Sequence, residues 1–223
     1  MPSTAPAPAN DKSYLEKSES FALIVRALRQ RASLTLQELS RRSGLAVSTI
    51  SKIENGQLSP SYETILRLAD GLQVDVAELF NTEPSVNAAG RRSITRRGQG
   101  KVHPSPHYLY EMLCTDLSRK HIVPQVTRIL ARSVDEFGEL PRHDGEEFVY
   151  VISGAIELYT EFYEPSRLDE GDAVYFDSTM GHALVSVGAG EATVLWVTAR
   201  SDDTPPSPAG PPRQAKRAAK GGA

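Results

Sequence analysis

The sequence predicts an all-α unit followed by an all-β unit, and three features carry that prediction. Apolar residues recur at helical spacing up to about residue 83. From about residue 104 they alternate instead, in short runs parted by turn residues. Between the two lies a stretch with Pro84, Gly90, Gly98 and Gly100 that suits a linker. The 223 residues leave room for two cores. The division that follows is a tail over 1–13, a helical domain over 14–83, a basic linker over 84–103, a barrel over 104–200 and a basic tail over 201–223. Both tails are rich in Pro and Ala, and disorder is expected there.

In the helical unit, Phe21 to Arg31 is amphipathic and supplies a first helix. Thr35 with Glu38 makes a capping box that opens a second. Leu36 and Leu39 share one face of it, and Gly44 stands where a helix end takes a left-handed residue. A short third helix runs from Val47 to Glu54. Ile50 and Ile53 dock inward, while Ser48, Thr49, Ser51 and Lys52 lie mostly on the opposite face. Asn55-Gly56 ends it. Ser59-Pro60-Ser61 opens a fourth helix with Ile65, Leu66, Leu68 and Ala69 as its buried stripe, and Val76 to Phe80 forms a last short one. Two short helices joined by a sharp turn, the second with small polar residues outward, make a helix-turn-helix. Such a second helix suits the major groove of double-stranded DNA.

The stretch Phe21 to Phe80, above all SGLAVSTISKIENGQLSPSYETILRLADGLQVDVAELF, resembles the phage-repressor-like helix-turn-helix regulators of the XRE family. The resemblance implies that Val47, Ser48, Thr49, Ser51 and Lys52 face bases or backbone, and that Asn55 contacts phosphate. Thr35 and Gln37 join this candidate DNA-binding set at the start of the preceding helix. The family commonly carries Gln directly after the capping Thr. Here Leu36 holds that place, and Gln37 comes one position late.

Charge is distributed unevenly. The net charge of −3 hides seven basic and seven acidic side chains over 21–83, five basic and no acidic over 91–101, and seven basic against sixteen acidic over 102–200. The β unit is therefore repelled by phosphate and is not expected to bind DNA alone. The linker, with Arg91, Arg92, Arg96, Arg97 and Lys101, suits either added phosphate contacts or a solvated hinge. Cys114 is the only cysteine, which excludes an intramolecular disulfide, and it reads as a reduced, buried thiol. No apolar run is long enough to span a membrane, and the first residues lack a secretory core, so a cytoplasmic protein is expected.

The β unit contains the alternating runs QVTRILAR, EEFVYVISG, AIELYTE, DAVYFD, HALVSV and ATVLWVTA. Many short strands at such spacing argue a sandwich or small barrel. Two segments, PRHDGEEFVYVISG and EGDAVYFDSTMGHALVSVG, resemble the two motifs of the cupin family, whose fold is a jelly-roll barrel. In that family the motifs supply three His and a Glu to a divalent metal. The resemblance places His143, Glu147 and His182 on three of those positions. Pro141 stands at the first His position and Ser186 at the closing Asn position. Two His and one carboxylate suit zinc, iron or manganese with open positions. The same three also suit a metal-free polar pocket. Tyr150, Phe176 and Trp196 complete the expected effector pocket. Glu146 should face away from Glu147, and Arg128 and Arg142 read as surface ion-pair partners.

A helix-turn-helix head joined to a cupin resembles a known architecture of bacterial regulators. The resemblance implies a barrel that senses a small-molecule effector and forms a homodimer. A two-fold dimer reads a pseudo-palindromic operator with half-sites about one helical turn apart. The alternative is a cupin metal-dependent enzyme, a dioxygenase or isomerase, with an appended DNA-binding module. Pro141 at a ligand position weighs against it, and no catalytic residue is assigned. A third option is a barrel that only dimerises the heads.

Overall fold

Capping residues set the helix boundaries. The structure is a computed structural model that describes residues 11–81 and 90–199. The helices are α1 (Asp11–Arg31), α2 (Leu36–Ser43), α3 (Val47–Glu54) and α4 (Tyr62–Leu72), followed by a 3-10 turn over Val76–Leu79. Thr35 Oγ1 accepts the Glu38 amide at 3.2 Å, and the Glu38 carboxylate accepts the Thr35 amide at 2.7 Å. The capping box is therefore closed both ways. Gly44 takes φ 67° and ends α2, its N–H reaching Ser40 O at 2.9 Å. Ser61 caps α4 through the Thr64 amide. Gly71 lets α4 lie hard against α2, since a Cβ there would sit 2.8 Å from Ser43 Cβ.

The core of the head takes Leu39, Ile50, Ile53, Ile65 and Leu68, each 0 to 1% exposed. One ion pair crosses it. Arg29 Nε and Nη2 donate to the two Glu54 oxygens at 2.6 and 2.8 Å, and Arg29 Nη1 donates to Leu34 O at 2.8 Å. This fork ties the end of α3 to α1.

Among the described residues nine strands follow: β1 (Lys101–Pro104), β2 (Tyr108–Met112), β3 (Ile122–Ile129), β4 (Glu146–Ser153), β5 (Ala155–Thr160), β6 (Ser166–Asp169), β7 (Ala173–Asp177), β8 (His182–Val187) and β9 (Ala192–Ala199). They form one sheet in the order β1-β2-β3-β9-β4-β7 and a second in the order β6-β5-β8, with every pairing antiparallel. Alternation sorts the faces. On β4, Glu147, Val149 and Val151 are buried while Glu146, Phe148, Tyr150 and Ile152 are exposed. The all-α plus all-β architecture is the one the sequence predicts.

The boundaries differ in places. α1 begins at Asp11, inside the stretch assigned to the tail, and β1 begins at Lys101, inside the stretch assigned to the linker. β1, β2 and β6 were not among the expected runs. β1 and β6, at four residues each, are too short for alternation to announce them, whereas β2 does alternate over YLYEM. The expected disorder at 1–10 and 201–223 lies outside the described residues.

Head and barrel share one apolar cluster that runs from Phe21 and Phe80 to Tyr108, Tyr110 and Trp196. His103 of β1 sits at the seam. Its ring centre lies 4.9 Å from Phe21, 5.8 Å from Phe80 and 6.3 Å from Tyr110. Its Nε2 is 2.9 Å from Pro60 O. A carbonyl only accepts, so Nε2 carries the proton. Burial pushes this imidazole down to about 4, against a smaller upward pull from Pro60. Ser59 Oγ donates to Pro104 O beside it.

Candidate functional site

The first candidate surface is the outer face of α3. Its apolar side is sealed, with Ile50 and Ile53 at 0 and 1% exposure. Val47, Ser48, Lys52 and Asn55 are exposed, and Thr49 and Ser51 are half-buried. Thr35 and Gln37, at the start of α2, are exposed as well. Six of the eight expected DNA-binding positions are thus exposed, and the other two are half-buried.

The second candidate is inside the barrel. β4 carries Glu147, β8 opens with His182, and His143 precedes β4 in the loop. Ligand atoms of His143, Glu147 and His182 lie within 4.8 Å of one another. His143 Nε2 is 2.9 Å from Glu147 Oε1, and His182 Nε2 is 3.3 Å from Glu147 Oε2. The second contact lacks hydrogen-bond geometry, and Oε2 has no hydrogen-bond partner among the described residues. Thr198 Oγ1 donates to Oε1 at 3.2 Å.

The backbone fixes the tautomers. His143 Nδ1 lies 3.2 Å from Asp144 O, and His182 Nδ1 lies 3.0 Å from Met180 O. Both carbonyls only accept, so both Nδ1 atoms carry protons. When the rings are neutral, both Nε2 lone pairs therefore converge on a carboxylate. Only a proton on each ring or a cation among them makes that arrangement favourable. Metal-ligating His shows the same arrangement, with the far ring nitrogen donating to a carbonyl. Burial would raise the Glu147 carboxyl, but the imidazoles of His143 and His182 beside it outweigh that and hold it at about 2. Burial would lower His143, yet the Glu147 contact raises it above the ordinary value.

The triad opens into a cavity of about 560 Å³. Its wall includes Tyr108, Tyr110, Gln125 and Trp196, and also Leu58 to Thr64 of the head. Gln125 and Trp196 are register partners on β3 and β9 and are 1 and 5% exposed. Gln125 Oε1 and Trp196 Nε1 have no partner among the described residues.

Several expectations need correction. Tyr150 does not line the pocket. It is 41% exposed because Glu147 faces inward, which turns the residue three places on outward. Phe176 is buried against the His182 ring, 5.1 Å away, but lies outside the cavity wall. Cys114 is half-buried rather than buried. Trp196 lines the cavity as expected. Glu146 is exposed, Arg142 pairs with Glu161 at 3.2 Å, and Arg128 pairs with Glu191. Pro141, at the first His position, instead accepts the His182 amide at 3.0 Å through its carbonyl. The sequence reading missed Tyr108, Tyr110 and Gln125. The alternation of YLYEM was a usable signal for the two tyrosines. The contribution of Leu58 to Thr64 had none, because it arises from docking of the two units.

A helix-turn-helix family model matches residues 25–79, and a cupin domain model matches residues 134–198. The chain joins a helix-turn-helix domain to a cupin domain. The chain is 42% identical over 57 residues to the HTH-type transcriptional repressor RghR of Bacillus subtilis (strain 168). That match takes in 25% of this chain and 42% of the repressor, so the chain spans about two-fifths of that relative's length. A solved HTH_3 family transcriptional regulator from Vibrio cholerae has a similar fold, with TM-score 0.58 at 17% identity over 83% of this chain and 97% of that one. The hydroxypropylphosphonic acid epoxidase from S. wedmorenis is a looser likeness, with TM-score 0.44 at 21% identity over 81% of this chain and 97% of that one. Among the described residues no helix is long and apolar enough to cross a membrane.

Proposed function

We propose that the protein is a DNA-binding transcriptional regulator whose cupin domain senses a small polar ligand. The observation that carries this reading is α3, a short helix with its apolar side sealed and its polar side exposed. In the groove, Ser48 and Lys52 reach base edges or phosphate, and Asn55 holds backbone at the helix end. The likeness to RghR over this domain supports the reading.

The barrel supplies the sensor. His143, Glu147 and His182 fit a divalent cation of the zinc, iron or manganese kind, because their tautomers turn three acceptors toward one point. Such a cation would offer open positions to an oxygen or nitrogen ligand. Gln125 Oε1 seeks a donor and Trp196 Nε1 an acceptor, so a hydroxyl or carboxamide on the effector satisfies both. The triad is also what an enzyme reading would rest on, but nothing in the cavity favours one reaction.

The regulator acts as a homodimer, and the outer face of the larger sheet suits the contact. Phe148, Tyr150, Ile152 and Tyr175 are 40, 41, 42 and 62% exposed there, and Phe148 stands between Tyr175 and Val197. A contiguous apolar face of this kind favours association. The test of the whole reading is a titration of a duplex selected from a random pool, with and without Co(II) as the barrel probe. A sequence-specific affinity that changes with Co(II) is expected. Salt-sensitive binding without sequence preference would contradict it.

A further inference from the structure

We propose that the loop between α3 and α4, with the first turn of α4, is the lid of the barrel cavity, so that a ligand at the triad fastens the DNA-binding head to the barrel. The proposal rests on the triad being the sensor site and adds the route by which that site reaches the DNA.

The lid is built from the head. Ser59, Ser61, Tyr62, Glu63 and Thr64 wall the same cavity as His143, Glu147 and His182. The Tyr62 ring meets His143 edge-on, 6.0 Å between centres at 77°, and lies 6.0 Å from the Tyr110 ring. The Tyr110 hydroxyl faces the backbone of Tyr62. That backbone belongs to the first helical residue of α4. Ser59 to Pro104 and Pro60 to His103 pin the loop on its other side.

A ligand at the triad fixes the His143 ring, against which the head's Tyr62 ring packs edge-on, so it acts on both units at once. It therefore binds the docked arrangement more tightly than an undocked one, which is the differential affinity that a shift in populations requires. The same loop begins at Asn55, the C-terminal cap of α3. Docking leaves the polar face of α3 uncovered and fixes where that face points relative to the barrel. In a dimer joined through the barrels, that direction sets the distance between the two reading helices.

Linkage makes the idea testable from the head side. If a ligand tightens docking, loosening the lid must weaken the ligand by the same factor. The experiment uses the full chain and Co(II) alone. Calorimetry measures Co(II) affinity in wild type, Tyr62→Ala and Ser59→Ala, and amide exchange is followed across residues 58–66 with and without the ion. The expected result is slower exchange over that segment in wild type with Co(II), and a loss of Co(II) affinity of about five-fold or more in the lid variants. Ser59→Ala removes one hydroxyl and keeps the test alive if Tyr62→Ala fails to fold. Equal affinities with unchanged exchange would overturn the lid while leaving the sensor site standing. No Co(II) binding by wild type would overturn the sensor-site reading in its metal form and this proposal with it.

Discussion

With neutral rings, His182 and Glu147 meet acceptor to acceptor: Nε2 stands 3.3 Å from Oε2, while the ring's Nδ1 is already committed to Met180 O. His143 repeats the pattern from the other side of the carboxylate. A buried arrangement of this kind costs free energy until something positive enters it. Wild type should therefore bind Co(II) and gain thermal stability from it, because a ligand of the native state alone stabilises by mass action. Glu147→Gln should lose most of that gain. A variant that keeps the full shift in melting temperature would remove the carboxylate from the donor set.

Lys52→Ala and Ser48→Ala should weaken binding to a selected duplex by about 1–3 kcal/mol each, the scale of a lost base contact. Both side chains lie on the open face of α3 and take no part in the core, so the circular dichroism of the variants should match wild type. Wild-type affinity in an anisotropy titration would take α3 out of the groove.

Glu54→Ala should be more damaging to the fold than any change on that open face. It leaves the half-buried Arg29 without its carboxylate, and leaving such a group unpaired costs about 1–3 kcal/mol. Urea unfolding measures this directly. A loss under about 1 kcal/mol would mean that Arg29 finds water once Glu54 is gone.

Much of this was legible in the chain. The capping box at Thr35 and Glu38, the span of α3 and the stripe of α4 all follow from local chemistry, and local chemistry decides them in the structure. His143, Glu147 and His182 were legible through the resemblance of PRHDGEEFVYVISG and EGDAVYFDSTMGHALVSVG to the cupin motifs. Tyr150 was misassigned although alternation from Glu147 would have turned it outward. What no local pattern could give was the roof of the cavity. Tyr62 reads as a helix residue of the head, and only docking brings it to His143. The same holds for His103, whose surroundings come from α1, the 3-10 turn and the loop at Pro60.

His103 makes the docked arrangement acid-sensitive. Its folded value of about 4 lies below the ordinary value of 6.5. The unfolded chain therefore takes up this proton first, and stability is lost as pH falls from about 6.5 towards 4. The group's share is about 3 kcal/mol, with nothing further lost below its folded value. His103→Gln keeps a donor for Pro60 O and removes the proton uptake. The difference in stability between wild type and this variant should shrink or reverse in that window. Parallel curves from pH 7 to 4 would show that the ring is not held neutral at the seam.

The most direct test of the account is selection of duplexes from a random pool by the full-length protein, followed by sequencing. A homodimer with α3 in the major groove should return a pseudo-palindrome whose half-sites lie about one helical turn, 10 to 10.5 base pairs, apart. The Lys52→Ala protein should enrich the same motif weakly or not at all. An asymmetric motif, or enrichment unaffected by Lys52→Ala, would contradict the claim that two copies of this chain read DNA through α3.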